Sequence, residues 1–85
     1  AADMFRAAGE PARLRLLERL SQGEACVSEL AAESGDGLST VSQRLKTLRN
    51  AKLVVRRRDG KHVFYQLADE HVAALIASAL DHAFE

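Results

Sequence analysis

The sequence has one cysteine, Cys26, so no disulfide can close within the chain, and a small secreted fold stapled by disulfides is excluded. It has no apolar run near the roughly 18 residues that a membrane-spanning helix needs. No signal-peptide pattern opens it, and a reducing, cytoplasmic setting is the expectation. It has no Gly-rich phosphate loop and no evident nucleophile, so an enzyme is not expected. Repeats, low-complexity tracts and an interdomain linker are absent too, which leaves residues 1–85 as one domain. Net charge is also lacking, with 12 basic residues against 12 acidic ones, a poor start for a nucleic-acid binder until the charges are placed along the chain.

What is present is strongly ordered. Hydrophobic residues make up 47% of the 85 and charged ones 28%, the balance of a soluble globular domain. At this length a chain buries only about 60–65% of its unfolded surface, and a dimer interface is one way to add stability. Between Gln43 and His62 stand Arg44, Lys46, Arg49, Lys52, Arg56, Arg57, Arg58 and Lys61 against Asp59 alone. The zero balance is a basic middle between acidic flanks.

Periodicity divides the chain into helix, helix, helix, helix, hairpin, helix. Ala2–Ala8 reads as the end of a helix with Met4 and Phe5 on its apolar side, closed by Gly9, and an arm preceding this abrupt start is expected. Pro11 suits the first turn of the next helix, with Leu14, Leu16, Leu17 and Leu20 as its core side and Gly23 at its exit. A short helix from about Cys26 to Ser34 buries Val27, Leu30 and Ala31, and Gly35, Asp36 and Gly37 form a turn. The helix from about Leu38 to Asn50 places Val41, Leu45 and Leu48 at i, i+4 and i+7. The period then turns to alternation: Leu53, Val54 and Val55, a basic stretch, Asp59-Gly60, and Val63 to Leu67 predict a β-hairpin with an Asp-Gly turn. Asp69 opens a last helix with Val72, Leu75, Ile76, Ala79, Leu80 and Ala83 on a broad apolar face.

A short helix, a glycine-bearing turn and a second helix with polar outward residues is the arrangement that seats a recognition helix in a major groove, and the hairpin after it makes a wing. The fold predicted is mainly α with a β-hairpin, a homodimeric winged helix-turn-helix. Gln43 has the geometry for adenine and Arg44 for guanine, while Ser39, Thr40, Ser42 and Lys46 suit phosphates or base edges. Arg56, Arg57, Arg58 and Lys61 on the wing would neutralise phosphates, giving an affinity that falls with salt. The plainer alternative is a solvated polar helix and a charged edge strand protected from aggregation.

Asp69, His71, His82 and Glu85 form the second constellation. At about 100° per residue, the eleven steps from His71 to His82 return to within roughly 20° of one direction, and Glu85 stays about 60° from His82. The same eleven residues rise roughly 16 Å, whereas zinc ligands must all lie about 2 Å from the metal, so one chain cannot close the site. Two such helices antiparallel about a two-fold axis can, with two equivalent sites per dimer. Two imidazoles and two carboxylates suit tetrahedral zinc, and cobalt(II) fits the same set. Each residue also has an ordinary role: Asp69 as an N-cap, His71 as an exposed first-turn residue, His82 as a partner of the helix dipole, Glu85 as a solvated terminal acid.

Over nearly its whole length the chain resembles the ArsR/SmtB family of metal-sensing repressors, and within it the zinc sensors that use the last helix. The resemblance rests on Glu10 to Leu17, Cys26 to Leu30, Ser39 to Leu45 with Leu48-Arg49, Gly60 to Leu67, and the spacing of Asp69, His71, His82 and Glu85. It implies a homodimer on double-stranded operator DNA, derepressed by zinc, near genes for metal efflux or sequestration. It also implies that the imidazole of His82 reaches the backbone carbonyl of Lys52, between recognition helix and wing, and that His62 holds a structural or DNA-facing place. Cys26 and Glu29 match the family's other metal site, but Ser28 stands where arsenic sensors carry a second cysteine, and Cys26 reads as a small, partly buried core residue. Three other functions stay open: a DNA-binding regulator that answers oxidation of Cys26 or a partner protein, a dimer with purely structural zinc, and a metalloenzyme, which would need an open fourth position that four protein ligands close.

Overall fold

The computed structural model describes residues 11–83, without the side chains of 82 and 83. The helix predicted at Ala2–Ala8, with Met4, Phe5 and Gly9, lies outside the described residues, as does Glu85. Seven elements follow in order: α1 (Pro11–Leu20), β1 (Ala25–Cys26), α2 (Val27–Ser34), α3 (Leu38–Asn50), β2 (Val54–Asp59), β3 (His62–Leu67) and α4 (Glu70–Ala83).

The helices stand where their apolar periods place them, and each end has a local cause. Leu16, Leu17 and Leu20 are the buried residues of α1, whose end tightens into i→i−3 bonds, Gln22 N–H to the Arg19 carbonyl at 3.1 Å and Gly23 N–H to the Leu20 carbonyl at 3.2 Å. Cys26, extended at φ −90°, precedes α2, and Gly35 ends it in the left-handed region at φ 78°, its N–H on the Ala31 carbonyl. Glycine adopts that conformation without a Cβ penalty. Helix α3 runs over the predicted residues and buries Val41, Leu45 and Leu48. Its end is a Schellman turn: Leu53 N–H bonds the Leu48 carbonyl and Lys52 N–H the Arg49 carbonyl, both at 3.0 Å, around Lys52 at φ 64°. Lysine pays about 1–2 kcal/mol there that glycine would not, so the corner joining α3 to β2 is strained at this residue.

Two features differ from the expectation. Ala25 and Cys26, assigned to a loop and a helix start, form a third strand that pairs antiparallel with β3, Ala25 opposite Tyr65 and Cys26 opposite Phe64. A two-residue strand has no period to read; only its partner defines it. The hairpin turn is also displaced by one residue. Asp59 pairs with His62, so Gly60 and Lys61 are the two loop residues, and only Gly60 has positive φ, at 62°. Glycine at the first loop position is the signature of a II′ turn.

The sheet order is β1-β3-β2. Val54, Arg56 and Arg58 share one face with their partners Leu67, Tyr65 and Val63, while Val55, Arg57 and Asp59 share the other with Gln66, Phe64 and His62. The inner end of the first face joins the core: Val54 and Tyr65 are buried with Leu17, Leu30, Leu45, Leu48, Leu53, Val72 and Ile76. No polar or charged side chain is buried among the described residues. The described part of the fold is thus held by apolar burial from its four helices and the sheet.

Candidate functional site

The outward side of α3 is polar because its apolar residues are spent on the core. Ser39, Thr40, Ser42, Gln43 and Lys46 are all exposed, and Asn50 extends this face by a further turn. Thr47 is half-buried and its hydroxyl donates to the Gln43 carbonyl at 3.2 Å, which occupies it within the helix. Leu38, at the first helical position, is 57% exposed, a large apolar side chain that the helical period did not mark as a site residue. The first turn of α3 therefore offers hydroxyls and one leucine together.

Two of the basic residues expected at this surface are tied to carboxylates. Arg44 is half-buried on the flank of α3, where its Nη1 donates to Asp36 at 2.6 Å across the helix-turn-helix corner. Arg57 donates to Glu24 from Nη2 at 2.6 Å and from Nε at 3.3 Å, and its guanidinium carbon lies 5.1 Å from the centre of the Phe64 ring. The hydrogen bond and charge of Glu24 hold the Arg57 guanidinium above its ordinary pKa. Arg56, Arg58 and Lys61 are exposed, with no ion pair among the described residues. Exposed His62 tilts against Phe64, ring centres 6.2 Å apart. Glu24 and Asp36 were not candidates in the sequence, because their partners lie 33 and 8 residues away and only the fold brings them together.

The start of α4 carries two of the expected metal ligands. Asp69 accepts the Val72 N–H at 2.9 Å through Oδ1, a helix N-cap. This cap uses Oδ1 and leaves Oδ2 free of protein partners among the described residues. His71 is exposed and makes no hydrogen bond among them. His82 stands in the last turn of α4, its side chain outside the described part, and Glu85 lies outside the described residues altogether. Among the described residues no three His, Cys, Asp or Glu side chains of this chain gather into a metal-holding group. Beside the buried stripe of Val72 and Ile76, Leu75 and Ala79 are only half-buried and stand apart from the core, on the side that turns toward His71.

Because the cap and any ligand role use different oxygens of Asp69, they separate by substitution. Asp69→Ala is expected to lower unfolding free energy by about 0.5–2 kcal/mol, whereas Asp69→Asn keeps an accepting oxygen and nearly all of the stability. Urea unfolding of the two variants checks this.

Cys26 is half-buried, but it is not the core residue expected: it lies on the outer face of the sheet beside Phe64, outside the core cluster. Its thiol donates to the Glu29 carboxylate at 3.2 Å and lies 3.1 Å from the Ser28 hydroxyl. Those bonds from the Cys26 thiol and backbone N–H hold the Glu29 carboxyl below its ordinary pKa. A cleft of about 430 Å³ lies elsewhere, between α1, α2 and α3, with the Arg19–Glu33 and Arg44–Asp36 pairs on its walls.

Residues 10–55 match the family described as bacterial regulatory proteins, arsR family. The chain is 44% identical over 81 residues to a transcriptional repressor SmtB homolog of Synechocystis sp., covering 95% of this chain and 61% of that protein. It is 41% identical over 81 residues to the HTH-type transcriptional regulator NmtR of Mycobacterium tuberculosis, covering 95% of this chain and 68% of that protein. Among solved structures, it superposes with a TM-score of 0.93 and 37% identity on the homodimeric winged helix-turn-helix DNA-binding domain of "a possible ArsR-family transcriptional regulator" of Mycobacterium bovis, over 99% of this chain and 78% of that one. The chain spans about three-fifths of the length of the first curated relatives it matches.

Proposed function

The chain belongs to the arsR family of bacterial regulatory proteins and has its winged helix-turn-helix fold, and from that premise we propose that it is a transcriptional repressor whose homodimer holds operator DNA until zinc binds between paired α4 helices. The observation that carries the DNA half is the polar outward face of α3 beside a wing with Arg56, Arg58 and Lys61 exposed. Ser39, Thr40, Ser42, Gln43 and Lys46 face the major groove and read or position the duplex, and the wing cations neutralise adjacent phosphates. Arg44 reaches guanine only by leaving Asp36. His62 sits near the wing tip, within reach of the backbone. No step of this is catalytic, and the relatives named above are regulators.

The metal half rests on α4. Leu75 and Ala79, half-buried beside the core stripe, are suited to a second copy of the same helix. Running antiparallel, each α4 brings Asp69 and His71 beside the partner's far end, where His82 and Glu85 complete a set of two imidazoles and two carboxylates. That donor set fits zinc or cobalt(II), and the exposed His71 with the free Oδ2 of Asp69 leaves both described donors available. Asp69 and His71 of one copy with His82 and Glu85 of the other would hold the metal, which would supply a cross-link between the two helices. His82, through its second ring nitrogen, would then reach the Lys52 carbonyl, at the left-handed corner that joins α3 to β2. Moving that corner alters the spacing of the two reading heads.

Selection of bound duplexes from a random pool tests the DNA half: an imperfect inverted repeat with half-sites one or more helical turns apart is expected, and a collection with no two-fold symmetry contradicts it. On the selected duplex, zinc is expected to weaken wild-type binding by roughly 5–150-fold, the range of typical coupling energies. His82→Ala removes that response and leaves metal-free binding intact, and Asp69→Asn lowers zinc affinity without unfolding the domain. If zinc leaves binding unchanged while an oxidant releases the duplex, and Cys26→Ser abolishes that release, the signal is redox and the zinc assignment fails.

A further inference from the structure

Arg57 reaches across the whole sheet. It starts on the edge strand β2, and Glu24 immediately precedes β1 on the other side of β3, so two strand spacings of about 4.8 Å separate their backbones. The guanidinium spans that gap by lying over Phe64, the β3 residue that pairs with Arg57 on one side and with Cys26 on the other. It ends in a two-point bond with the Glu24 carboxylate. The ladder from β1 to β3 is only two residues long, so this side-chain bridge lies where the hairpin leaves the body of the domain. Its side chains are 47% and 38% exposed, and a bridge that wet adds little to global stability. What it fixes is direction: a planar fork on a carboxylate, backed by an aromatic ring, permits few orientations.

We propose that Glu24 and Arg57 form a brace that sets the angle of the wing against α3, making both positioning residues for DNA recognition, with Arg57 taking no phosphate of its own. The proposal rests on the DNA-reading function above. It reverses the simplest electrostatic expectation. Glu24 is a negative charge near the phosphates, and deleting it would tighten DNA binding if charge alone mattered, or if Glu24 merely competed with DNA for Arg57. A brace requires the opposite sign.

The experiment is fluorescence anisotropy on the selected duplex at several salt concentrations, with wild type, Glu24→Gln, Arg57→Gln and the double variant, beside thermal unfolding of each. Glu24→Gln is expected to weaken binding about 3–10-fold, Arg57→Gln by a similar factor, and the double variant no more than Arg57→Gln alone, because two ends of one brace are not additive. The slope of log affinity against log salt for Arg57→Gln stays at the wild-type value, whereas a lost phosphate contact lowers it by about 0.9. Melting temperatures stay near that of wild type, which separates a wing effect from unfolding. Tighter binding by Glu24→Gln, a slope reduced by about one in Arg57→Gln, or additive losses overturn the brace. Failure of the parent function looks different: wild type itself would hold no duplex at low salt, and the brace would fall with it.

Discussion

Replacing Arg56, Arg58 and Lys61 together with glutamine is expected to weaken binding of the selected duplex by about two to three orders of magnitude near 0.1 M salt, with a salt slope lower by close to 3. The size follows from counterion release. Each cation that neutralises a phosphate contributes about 0.9 to the slope, and these three are exposed and free of ion pairs among the described residues. Arg44 and Arg57 are excluded from the count because Asp36 and Glu24 already hold them. A triple variant with the wild-type slope would mean that the wing stays off the DNA and that α3 carries the affinity alone. Anisotropy titrations from about 0.05 to 0.2 M salt resolve the two, since three phosphate contacts from the wing account for roughly a 40-fold change in affinity over that range.

Leu45→Ala is expected to cost about 2–5 kcal/mol of stability, measured by urea unfolding. Leu45 has no exposed surface and lies at the centre of the buried stripe of α3, with Val41 and Leu48, so its removal leaves a cavity beneath the reading helix. A domain holds only about 5–15 kcal/mol in total, so this one change removes a large share. DNA binding falls with it, because the polar face of α3 has no fixed seat without its apolar one. Leu38→Ala, on the same helix but 57% exposed, stays within about 0.5 kcal/mol. A cost near zero at Leu45 would mean that the core about α3 is not packed as described.

The contrast between those two leucines shows what a sequence of this kind discloses. Val41, Leu45 and Leu48 announce α3 because a helix buries every third or fourth residue, and the structure returns the helix over the same residues. The hairpin announces itself by alternation. Strand β1 does not, since its two residues have no period and its place is set by pairing with β3, Ala25 opposite Tyr65. Nor does the turn at Gly60-Lys61, where Asp59 looked like a loop residue until its pairing with His62 made it the last residue of β2. Periodicity sees one element at a time, and partners on other elements are invisible to it.

The same rule governs the candidate residues. Ser39, Thr40, Ser42, Gln43 and Lys46 were legible because outwardness follows from the apolar stripe. The fates of Arg44 and Arg57 were not, because a basic residue in a basic stretch gives no sign that a distant carboxylate will hold it. On α4 the spacing of His71 and His82 is legible, and so is its failure to close a site within one chain. The capping bond from Val72 to Asp69 shows, in turn, that a ligand-like aspartate can also do ordinary helical work.

Equilibrium binding of the selected duplex, measured once in chelator and once in saturating zinc with bound metal counted, bears most directly on the whole account. Two zinc ions per dimer and an affinity at least fivefold lower are the expected outcome. A dimer that demonstrably carries the metal and grips DNA as firmly as before would contradict it.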